Sequence, residues 1–146
     1  MKKLFIYYSY SGNGDVIAKY LEEKGYDIRK VTPKKELPKN FFLSMMVGGF
    51  KASISKKDVL MDFDSNVSGY DKIVIGSPIW NDRLSSPINT VINALEINDN
   101  YSFILYSGSG KGAHAIKKIE KLYNINSVIL KTPKTYKEEL DKLSEF

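Results

Sequence analysis

Four times along this chain a short apolar run gives way to a turn and then to apolar residues at helical spacing. That alternation limits the fold more than any other feature, because parallel strands need crossover connections and helices provide them. Residues 4–8 are apolar throughout, as expected of a strand covered on both faces. Val16, Ile17, Tyr20 and Leu21 then share one helix face, which Gly25 stops. Residues 28–31 read as a short second strand. Residues 73–75 form the third and lead through Gly76-Ser77-Pro78 to Ile88, Val91, Ile92 and Leu95, the i, i+3, i+4, i+7 pattern of an amphipathic helix. Residues 103–106 are the fourth strand, followed by a glycine-rich turn and a helix bearing Ile116, Ile119, Leu122 and Tyr123. Residues 128–130 are the fifth, after which Thr132 and Pro133 introduce a last helix with Tyr136, Leu140 and Leu143 on one face. The expectation is an α/β fold with a five-stranded parallel sheet and helices on both faces. Residues 32–69 are the least patterned. Within them, 41–52 are apolar enough for a helix or a packed flap, although Gly48 and Gly49 interrupt.

No repeat or linker divides the 146 residues, and that length is enough for one domain with its own core, so residues 1–146 are expected to form a single domain. With no cysteine, the chain has no disulfide, thiolate metal site or thiol nucleophile. The single histidine, His114, makes a histidine-built metal site improbable and reads as a solvated helix residue. Difficult chemistry on such a chain falls to a bound cofactor. Lys2 and Lys3 precede the first apolar run, but residues 4–8 are too short for a secretory signal, so a cytoplasmic protein is expected. No apolar segment approaches a membrane span, and no membrane partner is expected. The net charge of +5, from 22 basic and 17 acidic residues, favours anionic partners. The lysines stand in scattered pairs and no nucleic-acid motif accompanies them, so a solvated surface is expected rather than a nucleic-acid face.

In an open α/β sheet, ligands sit beyond the carboxyl ends of the strands. Three turns leave strands in that direction. The first, Ser9-Tyr10-Ser11-Gly12-Asn13-Gly14, puts hydroxyls, an amide and two glycines at a helix N-terminus, where unpaired N–H groups and a partial positive charge favour phosphate. It holds neither G-x-G-x-x-G nor G-x-x-x-x-G-K-[ST], and no cation, so recognition would use neutral donors. The second, Gly76-Ser77-Pro78-Ile79-Trp80-Asn81-Asp82, carries the only tryptophan, which can stack on a planar ring or fold back on the core. In the third, Ser107-Gly108-Ser109-Gly110-Lys111-Gly112, glycines let backbone N–H groups approach a ring edge. Asp15 and Asp82 read as helix-start and turn residues.

Together these loops ask for a ligand with a phosphate at one end and a flat polar ring at the other. Here the chain resembles the flavodoxin family over nearly its whole length. The first loop is similar to the family's Ser/Thr-x-Thr/Ser-Gly-Asn-Thr, and Gly76-Ser77-Pro78-Ile79-Trp80 followed by Pro87-Ile88 looks like the Gly-x-Pro-x-Trp loop of short-chain flavodoxins. The resemblance implies a flavodoxin-like three-layer sandwich with strand order 2-1-3-4-5, an order that general accounts of flavodoxin pair with FMN at the switch point. It implies FMN as cofactor, its phosphate held by Ser9, Ser11, Gly12, Asn13 and Gly14, with Tyr10 in the same loop. Pro78, Ile79 and Trp80, between Ser77 and Asn81, would flank the isoalloxazine, and Ser107, Gly108 and Ser109, with Gly110 beside them, would meet its pyrimidine edge. The chain departs from the pattern in three ways. Gly14 replaces the usual threonine, the third loop lacks a stacking tyrosine, and the charge is basic where many flavodoxins are acidic. Phe41, Phe42, Met45 and Met46 are the residues that could cover the second ring face.

The implied activity is electron transfer between FMN and protein redox partners, with no side chain acting as acid or base. Many flavodoxins dock on basic partners, whereas the basic charge of this chain favours acidic partner surfaces. An FMN-dependent oxidoreductase acting on a quinone or other small acceptor is the alternative, and a non-redox binding module on the same fold is the third.

Overall fold

The computed structural model of the protein describes residues 1–54 and 56–146; the side chains of Phe41, Ala52 and Ser53 also lie outside the described residues. In chain order the elements are β1 (Lys3–Tyr7), α1 (Asn13–Glu23), β2 (Tyr26–Lys30), α2 (Phe41–Ser53), β3 (Lys72–Trp80), β4 (Arg83–Leu84), α3 (Ser86–Ala94), β5 (Tyr101–Ser107), α4 (Ala113–Tyr123), β6 (Ser127–Lys131) and a 3-10 helix (Lys137–Leu143). Strands β2-β1-β3-β5-β6 lie in that order and pair in parallel, which is the expected 2-1-3-4-5 arrangement.

The alternation of side chains along each strand divides the interior in two. Leu4, Ile6 and Tyr8 join Phe103, Leu105, Ile88, Val91 and Ile119 on the face covered by α3 and α4. Phe5 and Tyr7 join Ile104, Tyr106, Ile17, Leu21 and Leu143 on the face covered by α1 and the 3-10 helix. Helices on both faces of one sheet make the three layers. Gly25 ends α1 as expected, at φ 82° with its N–H on the Glu22 carbonyl (2.9 Å).

Several expectations need correction. Gly76 to Trp80 is not a turn after the third strand: β3 continues through it, pairing with β5 as far as Pro78 and antiparallel with β4 at Ile79 and Trp80. Gly76 is required there because a Cβ would lie 2.5 Å from the Phe5 ring. The turn itself is Asn81-Asp82, both at positive φ (49° and 56°), the geometry of a tight hairpin. The sheet therefore has a sixth, two-residue strand. The last helical segment is 3-10 rather than α, with Leu143 buried and Tyr136 exposed ahead of it. On α4, Leu122 faces solvent, and Ala115 with Ile119 forms the buried edge. Residues 41–53 do form a helix despite Gly48 and Gly49.

Candidate functional site

At the carboxyl ends of β1, β3 and β5, all three expected loops border one cavity of about 550 Å³, within the usual range of small-molecule sites. Of the candidate residues, Tyr10, Ser11, Asn13, Pro78, Ile79, Trp80, Asn81, Ser107 and Gly108 line it. Ser9, Gly12, Gly14, Ser77, Ser109 and Gly110 do not, and each has a supporting role instead.

Ser9 builds the turn. Its Oγ accepts the N–H groups of Gly12 (3.2 Å) and Gly14 (3.1 Å). Gly12 sits at φ 94°, a left-handed conformation that admits glycine without strain, and precedes the first turn of α1. Apart from the Gly14 N–H, which Ser9 Oγ accepts, the N–H groups of that turn have no acceptor in the helical ladder and point a partial positive charge outward. Gly14 is required by space: a Cβ there would lie 2.7 Å from the Tyr106 hydroxyl and 2.8 Å from the Tyr7 ring. The buried Tyr106 side chain, whose hydroxyl donates to the Tyr8 carbonyl, therefore occupies the volume next to position 14.

The loop was expected to work without a cation, and the structure supplies one. Lys134 follows β6 and lies across the first loop. Its Nζ donates to the Ser11 carbonyl (3.2 Å), its N–H donates to Asn13 Oδ1 (3.1 Å), and its stem runs beside Gly12, where a Cβ would lie 3.4 Å from it. Asn13 Nδ2 in turn donates to Ser11 Oγ (3.1 Å), so its amide is engaged within the loop. Thr132, held at φ 39°, completes this wall, its N–H donating to the Ser107 carbonyl (3.0 Å). Nothing in the local sequence of the first loop points to a residue more than a hundred positions away. The only available signal was the polar Thr132-Pro133-Lys134 turn at the end of the last strand.

Opposite in chemistry is a wall of Leu37, Met45, Pro78, Ile79 and Trp80. Trp80 reaches the cavity while also packing edge-on against Tyr8 (5.7 Å, 89°) and against Gly48, whose Cβ would meet the indole at 3.3 Å. Both sequence readings of this tryptophan therefore apply at once. Ser77 is fully buried: its hydroxyl lies 3.0 Å from that of Ser85 and accepts the Ser85 N–H (3.1 Å), which locks the β3–β4 hairpin. In the third loop, Ser107 Oγ donates to the Lys111 carbonyl (3.1 Å) and Ser109 Oγ accepts the Lys111 N–H (3.2 Å). Gly110 turns at φ 70° against Lys131. Of the residues expected to cover a ring face, only Met45 borders the cavity; Phe42 and Met46 do not, and the Phe41 side chain lies outside the described residues.

Electrostatically the site sets the Lys134 cation and the α1 N-terminus, a combination that suits an anion, beside an apolar slot. Its described lining holds no carboxylate, imidazole or thiol. Burial raises the Tyr106 phenol well above its ordinary range, so it stays protonated at neutral pH. His114 is exposed at the start of α4, its N–H held by Asp82 Oδ1 (3.1 Å), outside the cavity. Asp15 points away from the cavity, accepting from Tyr7 (2.8 Å) and Lys30 (2.7 Å).

No family model and no curated protein matches the chain. Solved structures do. A protein of Bacteroides uniformis ATCC 8492, classed provisionally as a flavoprotein, matches with a TM-score of 0.71 at 22% identity, over 96% of this chain and 97% of its own. A second from Bacteroides eggerthii DSM 20697, classed the same way, matches with a TM-score of 0.69 at 20% identity, over 98% of each chain. A flavoprotein of Lactobacillus acidophilus NCFM, solved in complex with FMN, matches with a TM-score of 0.69 at 18% identity, over 94% of this chain and 97% of its own. With the strand order and the layers on both faces, these matches show that the chain has the α/β, flavodoxin-like fold.

Proposed function

We propose that this chain is an FMN-binding flavoprotein that carries electrons. The observation behind this reading is the pairing, in one cavity of about 550 Å³, of an anion cradle (Ser11, Asn13, Lys134 and the α1 N-terminus) with an apolar slot beside Trp80. The likeness to an FMN-bound flavoprotein adds support. Lys134 and the first-turn N–H groups would hold the phosphate, and Pro78, Ile79 and Trp80 would flank the ring. Ser107 and Gly108 would face its polar edge. Bound FMN would supply the redox chemistry; the chain's part is to bind, orient and shield it. The basic balance of the surface favours an acidic protein partner, chiefly through association rate. The third loop offers no aromatic side chain, and this favours a second reading, an FMN-dependent reductase of a quinone or other small acceptor.

Calorimetry on the apo protein tests the cofactor. FMN is expected to bind more tightly than riboflavin. Lys134→Ala should weaken FMN binding by about 1.5–3 kcal/mol, the usual worth of a hydrogen bond to a charged group, and leave riboflavin unchanged. Equal loss for both flavins would remove the phosphate assignment. NADH turnover with a soluble quinone at saturating FMN separates the two redox readings: sustained turnover near about 10 per second favours the reductase.

A further inference from the structure

A surface helix normally turns its apolar arc inward. α2 does the reverse. At 3.6 residues per turn, Ser44, Val47, Gly48 and Lys51 share the arc that faces the fold. Ser44 and Gly48 are buried, and Lys51 Nζ is held by both oxygens of Asp58 (3.0 and 3.1 Å). The opposite arc carries Phe42 (66% exposed), Leu43 (49%), Met45 and Met46 (57% each) and Phe50 (66%), and Ile54 (56%) follows the helix end. Phe42, Met46 and Phe50 form an i, i+4 ridge along it.

Charge gathers around the same helix. Residues 33–61 hold six lysines against two carboxylates, which leaves sixteen basic and fifteen acidic residues in the rest of the chain, so nearly all of the net +5 resides here. Both carboxylates are engaged within the fold: Glu36 accepts from Tyr8 Oη (3.1 Å), and Asp58 accepts from Lys51 and from Ser86 Oγ (2.7 Å). Lys34, Lys35, Lys39, Lys56 and Lys57 are exposed.

We propose that α2 and the lysines flanking it form a plate that docks the protein on an anionic lipid surface. Helices that lie in a membrane interface combine apolar side chains such as Phe and Leu with lysines whose stems reach back to the headgroups, and juxtaposed lysines bind the negative surface potential of anionic lipid. The same charge can steer an acidic redox partner at long range without seating it on α2; for the occupant of the plate itself, the basic residues decide. Residues 39–61 contain no Arg, Tyr or Trp, and their basic residues are all lysine, which protein interfaces avoid. The Phe and Met side chains suit either a protein or a lipid surface, so the choice of lipid rests on the lysines. A second copy is disfavoured because two plates of the same charge would face each other. No described helix is long and apolar enough to cross a membrane, so the mode is peripheral. α2 also supplies Ser44, Met45 and Gly49 to the cavity wall, so docking holds the cavity within about 10 Å of the lipid, one helix diameter.

The proposal does not rest on the flavin, and the test is run on the full chain with and without FMN. Binding is measured by co-sedimentation with vesicles of phosphatidylcholine and with vesicles of equal parts phosphatidylcholine and phosphatidylglycerol. Binding to the anionic vesicles is expected to be at least about tenfold tighter and to weaken with salt. Phe42→Ser with Phe50→Ser, and separately Lys56→Glu with Lys57→Glu, should each reduce it at least about tenfold, while circular dichroism and thermal melting show both variants folded. No vesicle binding by the parent, equal binding to neutral vesicles, or unchanged binding by either folded variant would each overturn the proposal. So would a concentration-dependent dimer that Phe50→Ser abolishes, or vesicle-independent binding to an acidic ferredoxin lost in both variants.

Discussion

α1 and α2 belong to the same three-layer fold and are of similar length, 11 and 13 residues, yet they are held by opposite means. α1 buries Ile17, Ala18 and Leu21 in the core and turns Lys19, Glu22 and Glu23 to water. No described residue of α2 belongs to either buried core cluster. Its attachments include Gly48 under Trp80 and the Lys51–Asp58 pair, which Ser86 extends to α3. Hydrophobic burial therefore places α1, while small-residue packing and a polar clamp place α2. A helix that spends its apolar side chains on the outside is built for something other than the stability of its own fold.

Truncation should expose that contrast most strongly. Leu21→Ala is expected to destabilise the protein by about 2–5 kcal/mol in urea unfolding, the loss of a buried side chain plus the cavity left behind. Phe50→Ala, a larger deletion on α2, should stay within about 0.5 kcal/mol, as surface substitutions do. Similar losses from the two would show that α2 buries its apolar arc in solution. Next in size is the clamp. The Lys51 and Asp58 side chains are only 13% and 10% exposed, so Lys51→Met leaves a carboxylate nearly buried beside its remaining donor, Ser86. A cost of about 2–3 kcal/mol is expected, below the full value for a broken buried pair because that donor remains. Hydrogen exchange should locate the loosening in α2 and leave the amides of α1 protected.

Position 14 sharpens the comparison from the side of α1. Judged against related loops, Gly14 looks like a lost hydroxyl; in the structure the Tyr106 hydroxyl stands 2.7 Å from where a Cβ would be. Gly14→Ala should cost about 1–3 kcal/mol through overpacking, and Tyr106→Phe in the same chain should recover part of it. If Gly14→Ala is neutral alone, the first turn of α1 is looser than these contacts imply.

The sequence made the parallel strands legible because strands covered on both faces are written as unbroken apolar runs, as at Leu4, Phe5 and Ile6; their order came only from the likeness of the loops to those of flavodoxins. It also made the convergence of the three loops legible, because turn residues cluster where strands end. It misread Gly76-Ser77-Pro78, where local turn chemistry is overridden by pairing with β5, since a proline needs no N–H partner at the strand's far end. Lys134 was invisible because its place at the cradle depends on β6 lying at one edge of the sheet, a property of the topology and not of the local sequence. The lysine pairs looked scattered along the chain. Only folding gathers Lys34 and Lys35 with Lys56 and Lys57 around one helix, where they border a common cavity of about 500 Å³.

The smallest expected effect concerns how charge seats α1. Burial by itself would raise the Asp15 pKa, but the hydrogen bonds from Lys30 and Tyr7 outweigh it and hold the carboxyl below its ordinary value. A carboxyl lowered in the folded state contributes stability that is fully present above its unfolded pKa of about 3.9 and is lost as pH falls through the folded value. Asp15 also stands in the first turn of α1, where a negative charge suits the helix dipole, whereas the first turn of α2 has no acidic residue. Its side chain is 44% exposed, so solvent screens the pair and Asp15→Asn should cost less than about 1 kcal/mol at pH 7. The gap between the parent and Asp15→Asn in urea midpoint should close as pH is lowered from 5 toward 2, about the window in which a carboxyl of this kind takes up its proton. In hydrogen exchange the loss should appear at the start of α1. A gap that persists unchanged to the acid end would mean that the Tyr7 hydroxyl bond, rather than the charge, holds this end of the helix.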